Sequence, residues 1–177
     1  MTEPLFFDTD CLSAFLWVKN QSLLAQLYPG RFVIPAEVYA ELSNPAIPHL
    51  KAKVDIMVAC GDARIESIMT ETEEYRLYRK LVANPDPGHA IIGRGEAAAI
   101  ALAKERNGIL ASNNLKDISV YINEFGLQHR TTGEILKEAL KAGIITEVDG
   151  NQLWQDMLKK RRKLGYPTFS DYLKNNI

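Results

Sequence analysis

Cysteine is scarce in this chain of 177 residues: Cys11 and Cys60 are the only two, and they form no CxxC pair. A disulfide scaffold and a zinc ribbon are therefore poor descriptions of it. Histidine is sparse too, with His49, His89 and His129 scattered and no HExxH among them. A nucleophile elbow and a Walker loop are also missing. No run approaches the ~18 apolar residues that a membrane span needs. The N-terminus has neither a basic n-region nor a long apolar h-region. An excess of one charge is lacking as well: the formal net charge is −1, which argues against a generally basic coat but allows a local patch. The expectation is a soluble, cytoplasmic protein.

What is present is an ordinary globular composition, 46% hydrophobic and 24% charged. The length suits one domain with a substantial core. Short apolar runs alternate with helical patterns. Leu5 to Asp8, "RFVIP" at 31–35, "ARIESI" at 63–68, "GILAS" at 108–112 and "LQHRT" at 127–131 read as strands. Helical spacing fills most of the intervals, and "NPDPGHAIIGRG" at 84–95 reads as a loop. A tail helix is expected over about 151–164 and a last short helix within "YPTFSDYLKNNI". This alternation predicts an α/β fold, a parallel sheet of about five strands covered on both faces. In such a sheet, sites form beyond the carboxyl ends of the strands. Asp8 ends the first strand there, and Asn113 and Asn114 follow the fourth.

Acidic residues in apolar surroundings gather along the same edge. Asp8 and Asp10 flank Thr9; Glu41 lies in "PAEVYAELS"; Glu96 opens "GEAAAIALA"; Asp117 lies in "SNNLKD". Each has a bland structural role open to it. Asp10 reads as the N-cap of the first helix, Glu96 as a charge at the positive end of its own helix, and Glu41 as a solvent-facing residue. Asp8 is harder to dismiss, because a carboxylate ending a buried strand is costly unless something charged meets it. As a set, the carboxylates suit Mg²⁺ or Mn²⁺, hard cations that prefer oxygen ligands and keep waters. Such metals can drive phosphodiester hydrolysis without a histidine, cysteine or serine nucleophile.

The order of Asp8, Glu41, "GRGEAAAIALA" with Glu96, then "GILASNN" and a helix, resembles the PIN domain, closest to the VapC-like toxins and their relatives. "FGLQHRTTGEILKEALKAGIITEV" resembles the segment that follows strand four in that subgroup. The resemblance spans residues of about 4–147, the core of a single domain over 1–177, with a helical tail at about 149–177. It implies a three-layer α/β/α fold with strand order 3-2-1-4-5 and a metal-dependent ribonuclease of toxin–antitoxin type. An RNA substrate, an antitoxin partner and a homodimer follow from it. Asp8, Glu41 and Glu96 match the family's acidic positions. The fourth departs: Asn113 and Asn114 stand where the family usually has Asp. Asp117, with Asn113, is the expected replacement. The catalytic set is then Asp8, Glu41, Glu96 and Asp117, and the metal ligands are Asp8, Glu96, Asn113 and Asp117. Thr9, Arg94, Asn114 and Lys116 are the expected substrate contacts.

Two rival readings stand beside this one. The missing Asp favours a PIN fold that binds RNA or protein without cutting. "FFDTDCL" superficially resembles the start of a haloacid-dehalogenase-like phosphatase, in which Asp8 would be the nucleophile. In the tail, "KKRRK" at 159–163 reads either as a solvated helix face or as a grip on phosphates. Trp17 reads as core.

Overall fold

The computed structural model describes residues 3–176. Five strands form one parallel sheet: β1 (Leu5–Phe7), β2 (Phe32–Pro35), β3 (Arg64–Glu66), β4 (Ile109–Ala111) and β5 (Gln128–Arg130). Their spatial order is 3-2-1-4-5, as the resemblance implies. The chain runs outward from β1 in one direction and returns on its other side, so the order reverses between β1 and β4. A crevice opens at the carboxyl ends of strands at such a point.

Side chains alternate along each strand, and the sheet therefore faces two cores. Leu5, Phe7, Phe32, Ile34, Ile109 and Ala111 point to one. Phe6, Val33 and Leu110 point to the other. The first face is covered by α1 (Thr9–Trp17), α2 (Ser22–Leu27), α3 (Ala36–Leu42), α4 (Pro48–Ala59), α8 (Thr132–Lys141), α9 (Glu147–Lys159) and α10 (Phe169–Asn175). The second face is covered by α5 (Glu73–Ala83), α6 (Arg94–Glu105) and α7 (Leu115–Phe125). The result is the expected three-layer α/β/α arrangement. No helix among the described residues is long and apolar enough to cross a membrane.

The tail departs from expectation in two ways. Thr146 and Asp149 form a capping box, so α9 begins at Glu147, earlier than the sequence pattern suggests. It ends at Lys159, with Arg161 in the left-handed region at φ 59°. "KKRRK" is thus a helix end and a loop, not a helix face. The tail packs against the body of the domain. Trp154, Met157 and Phe169 are fully buried in the first core, and the Trp154 indole nitrogen donates to the Tyr166 carbonyl at 2.9 Å.

Two glycines let α10 dock. The Tyr172 ring lies against Gly133 of α8, and the Phe169 ring lies against Gly150 of α9, where any Cβ would overlap it. Phe169 is wholly buried and has nowhere to retreat. Gly150→Ala is therefore expected to destabilise by about 1–3 kcal/mol despite alanine's better helix propensity. A thermal melt checks this: Tm should fall by roughly 2–4 °C per kcal/mol in a chain of this size. An unchanged or raised Tm would show that helix propensity prevails.

Candidate active site

Asp8 leaves β1 and enters α1 at once, with extended backbone at φ −78° and ψ 169°. Its Oδ1 accepts from the Cys11 backbone N–H at 2.7 Å, so Asp8 itself is the N-cap. This corrects the expectation that Asp10 caps the helix. Asp10 is two residues too far along and sits in the first turn, with its side chain 66% exposed and 3.6 Å from the Arg162 guanidinium. Asp8, by contrast, is only 2% exposed. Ser112, buried just beyond β4, sets its side chain beside the Asp8 carboxylate and eases its ionisation.

Asp8, Thr9, Asp10, Glu41, Gly93, Glu96 and Asn114 line one cavity of about 250 Å³ on the carboxyl edge of the sheet. Glu41, from α3, bridges to the start of α6. Its Oε1 accepts from the Gly95 N–H at 2.9 Å, and its Oε2 accepts from the Thr9 hydroxyl. A Cβ on Gly95 would lie 2.7 Å from Thr9 Oγ1 and 2.8 Å from Glu41 Oε2. Glycine is thus required where α6 meets these two side chains. Glu96 projects from the next position.

The other expected site residues lie elsewhere. Asn113 turns away: its Oδ1 accepts from the Thr132 N–H and its Nδ2 donates to the Thr132 hydroxyl, both at 2.8 Å. It ties β4 to the start of α8 and lines a different cavity. Both of its amide atoms are already engaged, and it is Asn114 that lines the carboxylate cavity. Asp117 stands behind Asn114, whose Nδ2 donates to its Oδ2 at 2.8 Å. It orients that amide and does not itself line the cavity. Asn114 also lies beside Glu96 and eases its ionisation. A neutral amide thus stands between carboxylates at a place where an aspartate would add a further negative charge. Arg94 and Lys116 are exposed on the first turns of α6 and α7, outside the cavity wall. Sequence reasoning missed Ser112 and Gly95. The polar residue closing an apolar strand in "GILAS" and the glycine preceding Glu96 were the available signals.

The electrostatics are those of crowded acids. Burial, followed by repulsion from Asp10 and Glu41, outweighs the Ser112 and Cys11 hydrogen bonds and raises the Asp8 pKa from 3.8 to about 7. Burial and the Asp8 charge raise Glu96 to about 7 as well. Ionising Asp8 in the fold therefore costs roughly 4 kcal/mol more than in water. Among the described residues, no three His, Cys, Asp or Glu side chains come together as a ready metal cage. A cage is not what Mg²⁺ requires. It commonly keeps several waters and takes one or two carboxylates. Two carboxylates and an amide oxygen, all hard donors, fit that ion.

Each acid's folded pKa is above its unfolded value, so the folded protein binds more protons across the interval between the two. Stability then falls as pH rises through that window. Without metal, Tm is expected to drop between about pH 4 and about pH 7. Asp8→Asn keeps a competent cap and removes the buried charge, so it should flatten this slope and raise Tm near pH 8 by on the order of 5 °C. Mg²⁺ should stabilise wild type and leave Asp8→Asn nearly unmoved. A flat wild-type profile in differential scanning calorimetry would contradict this account.

Comparison with known proteins bears on the same residues. The family model DUF3368, a PIN domain, matches residues 5–175. That span runs through α9 and α10, beyond the part that the sequence motifs reach. No curated protein matches the chain. Among solved structures, a chain of VapBC2 from Rickettsia felis, crystallised bound to a DNA fragment from their promoter, is similar in fold. It is 19% identical with a TM-score of 0.50, and 72% of this chain and 97% of that chain are covered. At that identity the likeness speaks to the fold. With a family match over nearly its whole length, the chain belongs to the PIN domain family, a family of nuclease type.

Proposed function

We propose that this protein is a Mg²⁺- or Mn²⁺-dependent ribonuclease that cleaves RNA phosphodiester bonds in the cytoplasm, as the toxin of a toxin–antitoxin pair. The observation that carries the reading is the pair Asp8 and Glu96. Both are carboxylates at the sheet's switch point, held where ionisation is opposed, in a cavity lined by oxygen donors. Two acids forced together without a cation are a liability; with one they become ligands. Asp8, Glu96 and the Asn114 carbonyl oxygen would hold the ion. It would supply Lewis-acid activation of water and neutralise charge at the phosphate.

The remaining residues have supporting roles. Ser112 and the Cys11 N–H fix the Asp8 carboxylate, leaving its other lone pairs for the ion. Glu41, held by Thr9 and Gly95, sets a carboxylate at the rim, where a water could lose its proton. Asp117 fixes Asn114. Arg94, Lys116 and Arg162 are positive groups near the mouth, suited to the flanking phosphates of an RNA strand. An antitoxin partner belongs to the proposal and is supported by the likeness to VapBC2. Assembly as a homodimer rests on the family resemblance alone.

A second reading retains the fold and removes the chemistry, and Asn114 in place of an acid favours it. It predicts RNA binding that ignores chelators. The haloacid-dehalogenase reading lapses with the family match, and Asp10, which it needs beside the nucleophile, is paired outward with Arg162.

The test is cleavage of single-stranded RNA by the purified full chain. Activity should require Mg²⁺ or Mn²⁺ and vanish with EDTA. Asp8→Asn and Glu96→Gln should each lower the rate by about 10²-fold or more while the circular-dichroism spectrum stays native. RNA binding without cleavage, unaffected by chelation, would favour the non-cutting module. Gly95→Ala offers a subtler check. The atoms it meets are the ends of flexible side chains, so Glu41 should be displaced and the fold kept. The rate is expected to fall at least about tenfold with little change in Tm.

A further inference from the structure

The cavity on the far side of Asn113 is larger than the carboxylate cavity, at about 470 Å³, a volume in the range of small-molecule sites. It opens beyond the carboxyl ends of β4 and β5, on the same edge of the sheet. Asn113 lines it and Asn114 lines the carboxylate cavity, so consecutive residues form the wall between the two. Tyr166 and Tyr172 supply an aromatic wall, with their rings edge to face at 5.6 Å. Leu115 stands at the lip, 46% exposed although apolar.

Polar groups converge there as well. The His129 Nε2 lies 2.8 Å from the Ser112 carbonyl oxygen and donates to it, which leaves Nδ1 as the acceptor of a neutral ring. Burial lowers the His129 pKa and favours that neutral form. Lys163 lines the cavity, with no ion pair among the described residues. Its neighbour Arg162 reaches the other way, to Ser13 at 3.2 Å and to Asp10 at the carboxylate rim. The "KKRRK" loop thus sets one cation at each cavity. Ser112 joins the two sites from beneath, through its hydroxyl to Asp8 and its carbonyl to His129.

We propose that this second cavity binds an unpaired nucleobase next to the scissile phosphate of single-stranded RNA, and that it makes the cut base-selective. The base stacks on Tyr166 and Leu115 and presents an N–H to His129 Nδ1, while Lys163 and Arg162 hold the phosphates on either side. An aromatic wall suits any base, because every base has a π-face; the hydrogen bond selects among them. The base must be unpaired to enter, which sets the substrate as single-stranded. This inference rests on the ribonuclease reading, and its test keeps the two apart.

The first arm needs no metal and no cleavage. The full chain is titrated with each of the four ribonucleoside 5′-monophosphates and followed by heteronuclear NMR. One nucleotide should shift the resonances of Leu115, His129 and Tyr166 and bind at least about fivefold more tightly than the weakest. Leu115→Ala should weaken that binding by about threefold to tenfold. Lys163→Ala should weaken the nucleotide but not the matching nucleoside. The second arm maps cut sites in an RNA pool of random sequence with Mg²⁺ present. Wild type should prefer one base beside the cut, and Leu115→Ala and His129→Ala should relax that preference while cleavage persists.

Shifts confined to other surfaces, equal binding of all four nucleotides, or an unchanged preference in both variants would overturn the proposal. Base-selective shifts without any metal-dependent cleavage would support the pocket and condemn the ribonuclease reading instead. Cleavage without base preference, together with a silent pocket, would do the reverse.

Discussion

The structure turns on one buried carboxylate. Asp8 has to be where it is for two reasons that pull in opposite directions. As the N-cap it terminates β1 and starts α1 in a single residue, an abrupt reversal that places the helix N-terminus and the strand end at one point. As a buried acid beside Asp10 and Glu41 it is held at a pKa of about 7, so its charge is opposed by its surroundings. The Ser112 hydroxyl and the Cys11 N–H relieve part of that tension without removing it. A cap fully satisfied by neutral partners would have little use for a cation. A cap whose ionisation is opposed by its neighbours is suited to one.

Around this residue the fold acts as a frame. Glu41 comes from the helix after β2, Glu96 from the helix before β4 and Asn114 from the turn after β4. Three separate crossovers therefore have to be in register before the cavity exists. Gly95 marks how tightly they meet, since even a methyl group there would intrude on Thr9 and Glu41. On the opposite face of the sheet from α6, the C-terminal helices complete the core with Trp154, Met157 and Phe169. The glycines of α8 and α9 admit the rings of α10 so closely that these three helices form one packed layer.

Much of this was legible in the sequence. The sheet, its parallel strands and the edge that carries the acids followed from alternating short apolar runs and helical spacing. Asp8, Glu41 and Glu96 share the cavity they were expected to share. What was not legible depended on which way a side chain turns. Asn113 and Asn114 are chemically identical neighbours, and only the geometry of the turn after β4 sends one to the carboxylates and the other to Thr132. Asp8 and Asp10 are equally good caps by residue type; the cap lies two residues earlier than the pattern implied. The end of α9 was misplaced because its basic residues are compatible with a helix, whereas Arg161 adopts a left-handed backbone that no composition reveals. In the tail, Trp154, Met157 and Phe169 are wholly enclosed, while Leu153, Leu158, Leu164 and Leu173 are only half-buried, a division that spacing alone does not reveal.

That enclosure has a bearing on how the chain behaves while it is being made. Trp154, Met157 and Phe169 lie in the same core as Leu5, Phe7 and Cys11. The first strand and the residues that finish its cover are thus separated by most of the sequence. A growing chain on the ribosome carries every carboxylate of the cavity by the time Glu96 has emerged, but the layer beneath α1 is still open. The Arg162 contact with Asp10 forms later again. Assembly of the rim is thereby linked to synthesis of the final helices, and an interrupted translation product would expose an unfinished apolar face to proteases before its cavity was complete.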